Sequence, residues 1–195
     1  MADRAVAGFT LRPVAPAEQP ALLALNNRHD GPVNALTAPA FASLCADAFL
    51  AVGAWDARGT LLGLLVALGP EGPVHGPNHG WMRQNHPEAV YIDRIVVEPA
   101  AQGMGIGRAL YAALAGVALE AGLGRLGCEV NLDPPNPESL AFHARLGFTA
   151  GGQATDPRNG KLVRYLLAEA APLAGPGPAH FLRSPAKRPC PAAPR

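Results

Sequence analysis

Between Val90 and Gly116 the chain reads VYIDRIVVEPAAQGMGIGRALYAALAG. An apolar run passes through Glu-Pro into three glycines at alternate positions, Gly103, Gly105 and Gly107, and then directly into a helical pattern. No other stretch constrains the fold as tightly. A strand must end there, the backbone must turn through conformations that favour glycine, and a helix must start at once. Helix starts carry unpaired N–H groups and the positive end of the helix dipole, and glycine lets an anion approach the backbone.

Three phosphate-binding turns fit such a stretch unequally. A Walker loop needs Lys-Ser or Lys-Thr after its last glycine, and Gly107 is followed by Arg108 and Ala109. A dinucleotide fingerprint finds two of its glycines in Gly103 and Gly105 but meets Arg108 at the third position. Glu129 on the next strand could serve as its carboxylate, yet the unit follows hairpins rather than parallel strands. The pattern Gln102-x-x-Gly105-x-Gly107 fits without a mismatch. A glycine turn that holds no ligand is the plain alternative.

The rest of the chain supplies the frame. FTLRPV (9–14) reads as a strand, residues 15–29 as a helix, and APAFASLCADA as a second helix capped by Thr37. AFLAVGAWD and TLLGLLVALG read as strands joined by the turn DARG. Residues 70–88, rich in Gly, Pro, His and Asn, read as a long loop. A strand over 89–97 leads through the glycine turn to a helix over about 105–121, with Ile106, Leu110, Leu114 and Val117 on one face. RLGCEVNL is the next strand. In NPESLAFHARLGF, Asn136 caps a helix that starts at Pro137 and stops at Gly147. KLVRYLLAE (161–169) closes the pattern. The order βααβββαβαβ predicts an α/β (α+β type) fold with a central mixed, mostly antiparallel sheet flanked by helices. Residues 1–170 form one expected domain, and 171–195 a Pro- and Ala-rich, basic tail expected to be disordered.

Two motifs now stand in order, and together they resemble the GNAT superfamily of acetyl-CoA-dependent N-acetyltransferases. Gln102, Gly105 and Gly107 match its [RQ]-x-x-G-x-[GA] turn, which follows the fourth strand and cradles the pyrophosphate of coenzyme A. Asn136, Ser139, Phe142, Gly147 and Phe148 match a second family signature, one helix and one strand later. The element order agrees with the family fold over roughly residues 9–169. The resemblance implies acetyl-CoA as acetyl donor, a primary amine as acceptor, direct attack, and frequent dimers, so a homodimer is an expectation. It implies cofactor contacts from Ile95, Val96, Val97, Gln102, Gly103, Met104, Gly105, Ile106, Gly107, Arg108, Asn136 and His143. A backbone N–H at the end of the strand, among Ile95, Val96 and Val97, is the expected donor to the developing oxyanion.

The catalytic residues depart from the family pattern. Where the family usually places a tyrosine that protonates the departing thiolate, this chain has His143. Histidine can do the same, or it can serve only as a cofactor contact or a partly exposed surface residue. An amine of pKa about 10.4 must lose a proton to attack, at a cost of roughly 4–5 kcal/mol at pH 7, so a general base is worth having. Many family members carry a glutamate at the position of Tyr91. Asp93, two residues on and by strand alternation on the same face, is one candidate base, and Glu129 is the rival. The two departures keep a non-catalytic acyl-CoA-binding or sensing module open as the alternative. Asn26, Asn27, His79, Trp81 and Tyr91 are the candidate acceptor contacts. His75 and His79 have metal-binding spacing only on a helix, which Pro77 between them argues against, and no metal is expected.

Charge and cysteines bound the partners. The net charge is +1, and four basic residues with no acid lie beyond residue 170, which leaves an acidic body. That argues against nucleic acid and favours a cationic acceptor. Cys45, Cys128 and Cys190 show no paired spacing, which predicts free thiols in a reducing, cytoplasmic setting, with no acetyl-cysteine intermediate. The longest apolar stretch, at 61–69, is too short to span a bilayer, so no membrane partner is expected.

Overall fold

The computed structural model describes residues 5–6, 8–29 and 34–175. The elements in chain order are β1 (Ala5–Val6), β2 (Phe9–Pro13), α1 (Gln19–Arg28), α2 (Ala38–Asp47), β3 (Leu50–Trp55), β4 (Leu61–Leu68), α3 (Gly76–Asn85), β5 (Ala89–Val97), α4 (Ile106–Glu120), β6 (Arg125–Asp133), α5 (Pro137–Arg145), β7 (Thr149–Thr155) and β8 (Leu162–Glu169). The strands form one sheet in the order β1-β2-β3-β4-β5-β6-β8-β7. Every neighbouring pair is antiparallel except β5 and β6. The mixed, mostly antiparallel sheet flanked by helices is the fold class that the sequence predicts.

The sheet is buried on both faces, which explains the unbroken apolar run of β4. Leu65 and Ala67 pack into one cluster with Ile106, Leu110 and Leu114 of α4. Leu64, Val66 and Leu68 pack into the other, with Leu22 and Leu25 of α1, Phe41 and Leu44 of α2, and Met82 of α3. Thr37 caps α2 by accepting from Ala40 N–H at 3.4 Å. Past β8, Leu173 and Ala174 still pack on the first cluster. The tail from residue 176 lies outside the described residues.

Two elements differ from the sequence expectation. The segment 70–88 is not a loop throughout, because α3 occupies its middle. Pro77 sits in the first turn of that helix, where the missing N–H costs nothing, so it starts the helix rather than preventing it. β7 is an added edge strand with the sequence TAGGQAT. Its two central glycines are there because neighbours press on them: a Cβ on Gly151 would come within 2.8 Å of Leu167, and one on Gly152 within 2.6 Å of Trp81.

Candidate functional site

Strands β5 and β6 run together for only three residues, Ala89 with Arg125, Val90 with Leu126 and Tyr91 with Gly127. Beyond that point β5 follows β4 and β6 follows β8. The two strands therefore part like a wedge, and their facing backbone edges have no strand partner. A bulge accompanies the parting: Val66 pairs with Arg94 and Ala67 with Ile92, which leaves Asp93 extra. Val90 and Ile92 belong to the α4-side cluster and Tyr91 to the other, yet past the bulge Ile95 and Val97 join the first and Val96 the second. The alternation that would put Asp93 on the face of Tyr91 is thus broken. The wedge encloses a cleft of about 870 Å³, within the range of small-molecule sites.

One end of the cleft is the glycine turn. Gly103 and Gly105 both have φ of +81°, and a Cβ on either would meet open space. α4 begins at Ile106 immediately after Gly105, so its first-turn N–H groups have no carbonyl ahead of them within the helix. Gly107 has a different reason to be glycine: its Cβ would lie 2.9 Å from the ring of Phe142 on α5. The two sequence motifs therefore meet in space, with Asn136 capping α5 by accepting from Ser139 N–H at 3.1 Å. Arg108 and Arg145 line this end as well. Two guanidinium groups, a helix start and open glycines fit the pyrophosphate of coenzyme A. Ile95, Val96, Val97, Gln102, Gly103, Gly105, Ile106, Gly107, Arg108, Asn136 and His143 all line the cleft, whereas Met104 does not and is exposed.

His143 is buried, not a surface histidine. Its Nδ1 lies 2.7 Å from the Ser139 carbonyl, which can only accept, so Nδ1 carries the hydrogen. Its Nε2 then accepts from the Tyr111 hydroxyl, also at 2.7 Å. Burial holds its pKa below the usual histidine value. Burial also raises both described thiols, Cys45 to about 11 and Cys128 further still, so neither is a thiolate near neutrality.

At the other end Glu129 projects from β6. Its Oε2 accepts from Tyr91 Oη at 2.7 Å and its Oε1 from Asn78 Nδ2 at 3.0 Å. Burial, with a smaller push from the charge of Asp93, outweighs those two bonds and raises its pKa to about 7. Asp93 Oδ2 accepts from Arg94 Nε at 2.8 Å. Asn78 is a junction: its Nδ2 also lies 3.5 Å from Asp156 Oδ2, and its Oδ1 accepts from Tyr165 Oη at 3.1 Å. Asp156 is in turn gripped by Arg158 through Nε and Nη2.

Of the predicted acceptor contacts, Tyr91 lines the cleft, and Asn26, Asn27, His79 and Trp81 are not among its lining residues. Asn27 is bonded in both directions to the backbone of Leu36, and Asn26 donates to Asn27 and to the Asn34 carbonyl. Trp81 stacks on Tyr165 at 3.7 Å between centroids. His79 stacks on Tyr91, and its Nδ1 accepts from His75 N–H, with burial lowering its pKa to about 4. In their place the cleft is lined by Asn34, Arg94, Asp156, Arg158 and Lys161. The turn TDPRNGK carries three of these and is readable as a hairpin only once the glycine-rich β7 is recognised as a strand.

The model of the acetyltransferase (GNAT) family matches residues 24–148. No curated protein matches the chain. Among solved structures, Ard1 from Thermoplasma volcanium superposes with a TM-score of 0.67 at 16% identity, covering 83% of this chain and 97% of that one. A phosphinothricin acetyltransferase from Sinorhizobium meliloti, solved in complex with AcCoA, gives 0.63 at 22% identity, covering 83% and 88%. A GCN5-related N-acetyltransferase from Kribbella flavida gives 0.61 at 22%, covering 83% and 98%.

Proposed function

The chain belongs to the acetyltransferase (GNAT) family, and from that premise we propose that it moves an acetyl group from acetyl-CoA to a primary amine by direct attack. The observation that carries this reading is the single wedge between β5 and β6, with the glycine turn at one end and Glu129 at the other. Acetyl-CoA supplies the acetyl thioester. The α4 start, Arg108 and Arg145 hold its phosphates, and the free edge of β5 at Ile95, Val96 and Val97 offers N–H groups to the acetyl carbonyl.

Glu129 is the general base in this reading. Its pKa of about 7 leaves it part-ionised at neutral pH. Compared with an ordinary carboxylate at 4.5, that makes taking the amine proton easier by about 3 kcal/mol. Asp93, fastened to Arg94, and His143, engaged at both ring nitrogens, are supports of the two walls. The thiol of coenzyme A, with a pKa of about 8.5, departs with little help. The high thiol pKa values of Cys45 and Cys128 argue for direct transfer rather than an acetyl-cysteine.

The test has two parts. Acetyl-CoA or coenzyme A at 100 times its Kd should stabilise the protein by roughly 2.7 kcal/mol in thermal melts, with no shift from NAD. Release of coenzyme A should then depend on an added amine. Stabilisation without release for any amine would leave the acyl-CoA-binding module as the function. No stabilisation by coenzyme A would end both readings.

A further inference from the structure

We propose that Tyr111, which does not itself line the cleft, is a positioning residue for acetyl-CoA: its hydroxyl grips His143 and so fixes α5, one wall of the cofactor end, against α4, which carries the other. This rests on the reading above that coenzyme A occupies the glycine-turn end, and it adds a residue to that machinery.

The cofactor end is built from two helices. α4 brings Ile106, Gly107 and Arg108 to the cleft, and α5 brings Phe142, His143 and Arg145. Arg108 and Arg145 stand on different helices, so their grip on one pyrophosphate depends on the spacing of α4 and α5. Ring contacts account for much of that junction. The Tyr111 and Phe142 rings are tilted with centroids 5.9 Å apart, and Tyr111 meets His143 and Phe148 edge-on at 5.6 and 5.4 Å. Dispersion contacts of this kind tolerate some sliding, whereas a hydrogen bond weakens steeply once its angle is lost.

The Tyr111 hydroxyl supplies that directional bond. It donates to His143 Nε2 at 2.7 Å, while Nδ1 donates to the Ser139 carbonyl one turn back on α5. Cys128 of β6 is bonded to the same hydroxyl. Because the one hydrogen of Tyr111 is committed to Nε2, the protonated thiol is the donor there. A directed chain thus runs from the sheet through α4 into α5, with each group held to a single role. Tyr111 is 0% exposed and His143 3%, so a Nε2 deprived of its donor would be a buried, unpaired acceptor. Phenylalanines at 142 and 148 already pack in this junction, so the hydroxyl, rather than the ring, is what sets Tyr111 apart.

The experiment is a calorimetric titration of coenzyme A into the native protein, Tyr111→Phe, His143→Phe and the double variant, with thermal melts to show that each is folded at the titration temperature. Tyr111→Phe should weaken Kd by about fivefold or more, the size of one net hydrogen bond. In the His143→Phe background, where that bond is already gone, the same change should cost no further affinity, a coupling that a purely structural role would not show. Imidazole nitrogen NMR of the native protein, with His143 assigned by its loss in His143→Phe, gives a reading that needs no Tyr111 variant. His143 should carry its hydrogen on Nδ1 alone at neutral pH. An unchanged Kd in Tyr111→Phe, an equal loss in both backgrounds, or a hydrogen on Nε2 would each overturn the inference and leave coenzyme A binding by the native protein standing. Failure of the native protein to bind coenzyme A would overturn the acetyl-CoA reading and this inference together.

Discussion

Replacing Glu129 by Gln separates two consequences of one buried carboxyl. The amide keeps the local geometry, since its oxygen can still accept from Asn78 and its nitrogen can donate to the Tyr91 oxygen. What it removes is ionisation. In the native protein the Glu129 pKa is raised from an ordinary 4.5 to about 7, chiefly by burial. The folded state therefore holds the proton more tightly than the unfolded chain. Stability from this group is fully present below pH 4.5 and is lost as pH rises through about 7. The shift corresponds to about 3 kcal/mol, a ceiling because Gln leaves the Tyr91 hydrogen without its acceptor. At pH 8 the Gln variant should accordingly melt above the native protein, by up to about 6–12 °C for a domain of this size, and at pH 4 the advantage should vanish. Acetyl transfer should move in the opposite direction, falling about 10²–10⁴-fold and losing the inflection near pH 7 in kcat/KM. Thermal melts across pH and coenzyme A release across the same range read both. A variant that melts no higher than the native protein at pH 8 would refute the cost of burying this carboxylate. One that keeps the inflection and the rate would refute Glu129 as the base.

Two further outcomes follow from the same contacts. Tyr91→Phe removes the 2.7 Å bond that holds the Glu129 pKa down, so the acidic limb of the pH–rate profile should move to higher pH by about one unit, and an unmoved limb would detach Tyr91 from the base. Gly107→Ala sets a Cβ 2.9 Å from Phe142, and the overpacking should exceed the gain in helix propensity. The expected result is a net loss of about 1 kcal/mol in denaturant melts and weaker binding of acetyl-CoA, and a stabilised variant with unchanged affinity would contradict it.

The parts of this protein legible in its sequence are those whose physical cause lies within a few residues. The turn after β5 needs positive φ at Gly103 and Gly105, and α5 needs a side-chain acceptor at Asn136 before Pro137. Such demands are written locally, and the strands β2 to β6 and β8 were readable by the same apolar patterns. α3 and β7 were not, because Pro77 reads as a breaker unless it is known to start a helix, and the glycines of β7 answer to Trp81 and Leu167 across the sheet. The acceptor end was least legible. The two bonds to Glu129 come from residues 38 and 51 positions away, and Arg158 reaches the site only because β7 and β8 form a hairpin beside β6. Sequence alone determined that a strand would end in a glycine turn and pass at once into a helix. Only the tertiary structure decided what stands opposite it, because burial, charge pairing and a carboxyl's pKa depend on neighbours that the chain brings together from far apart.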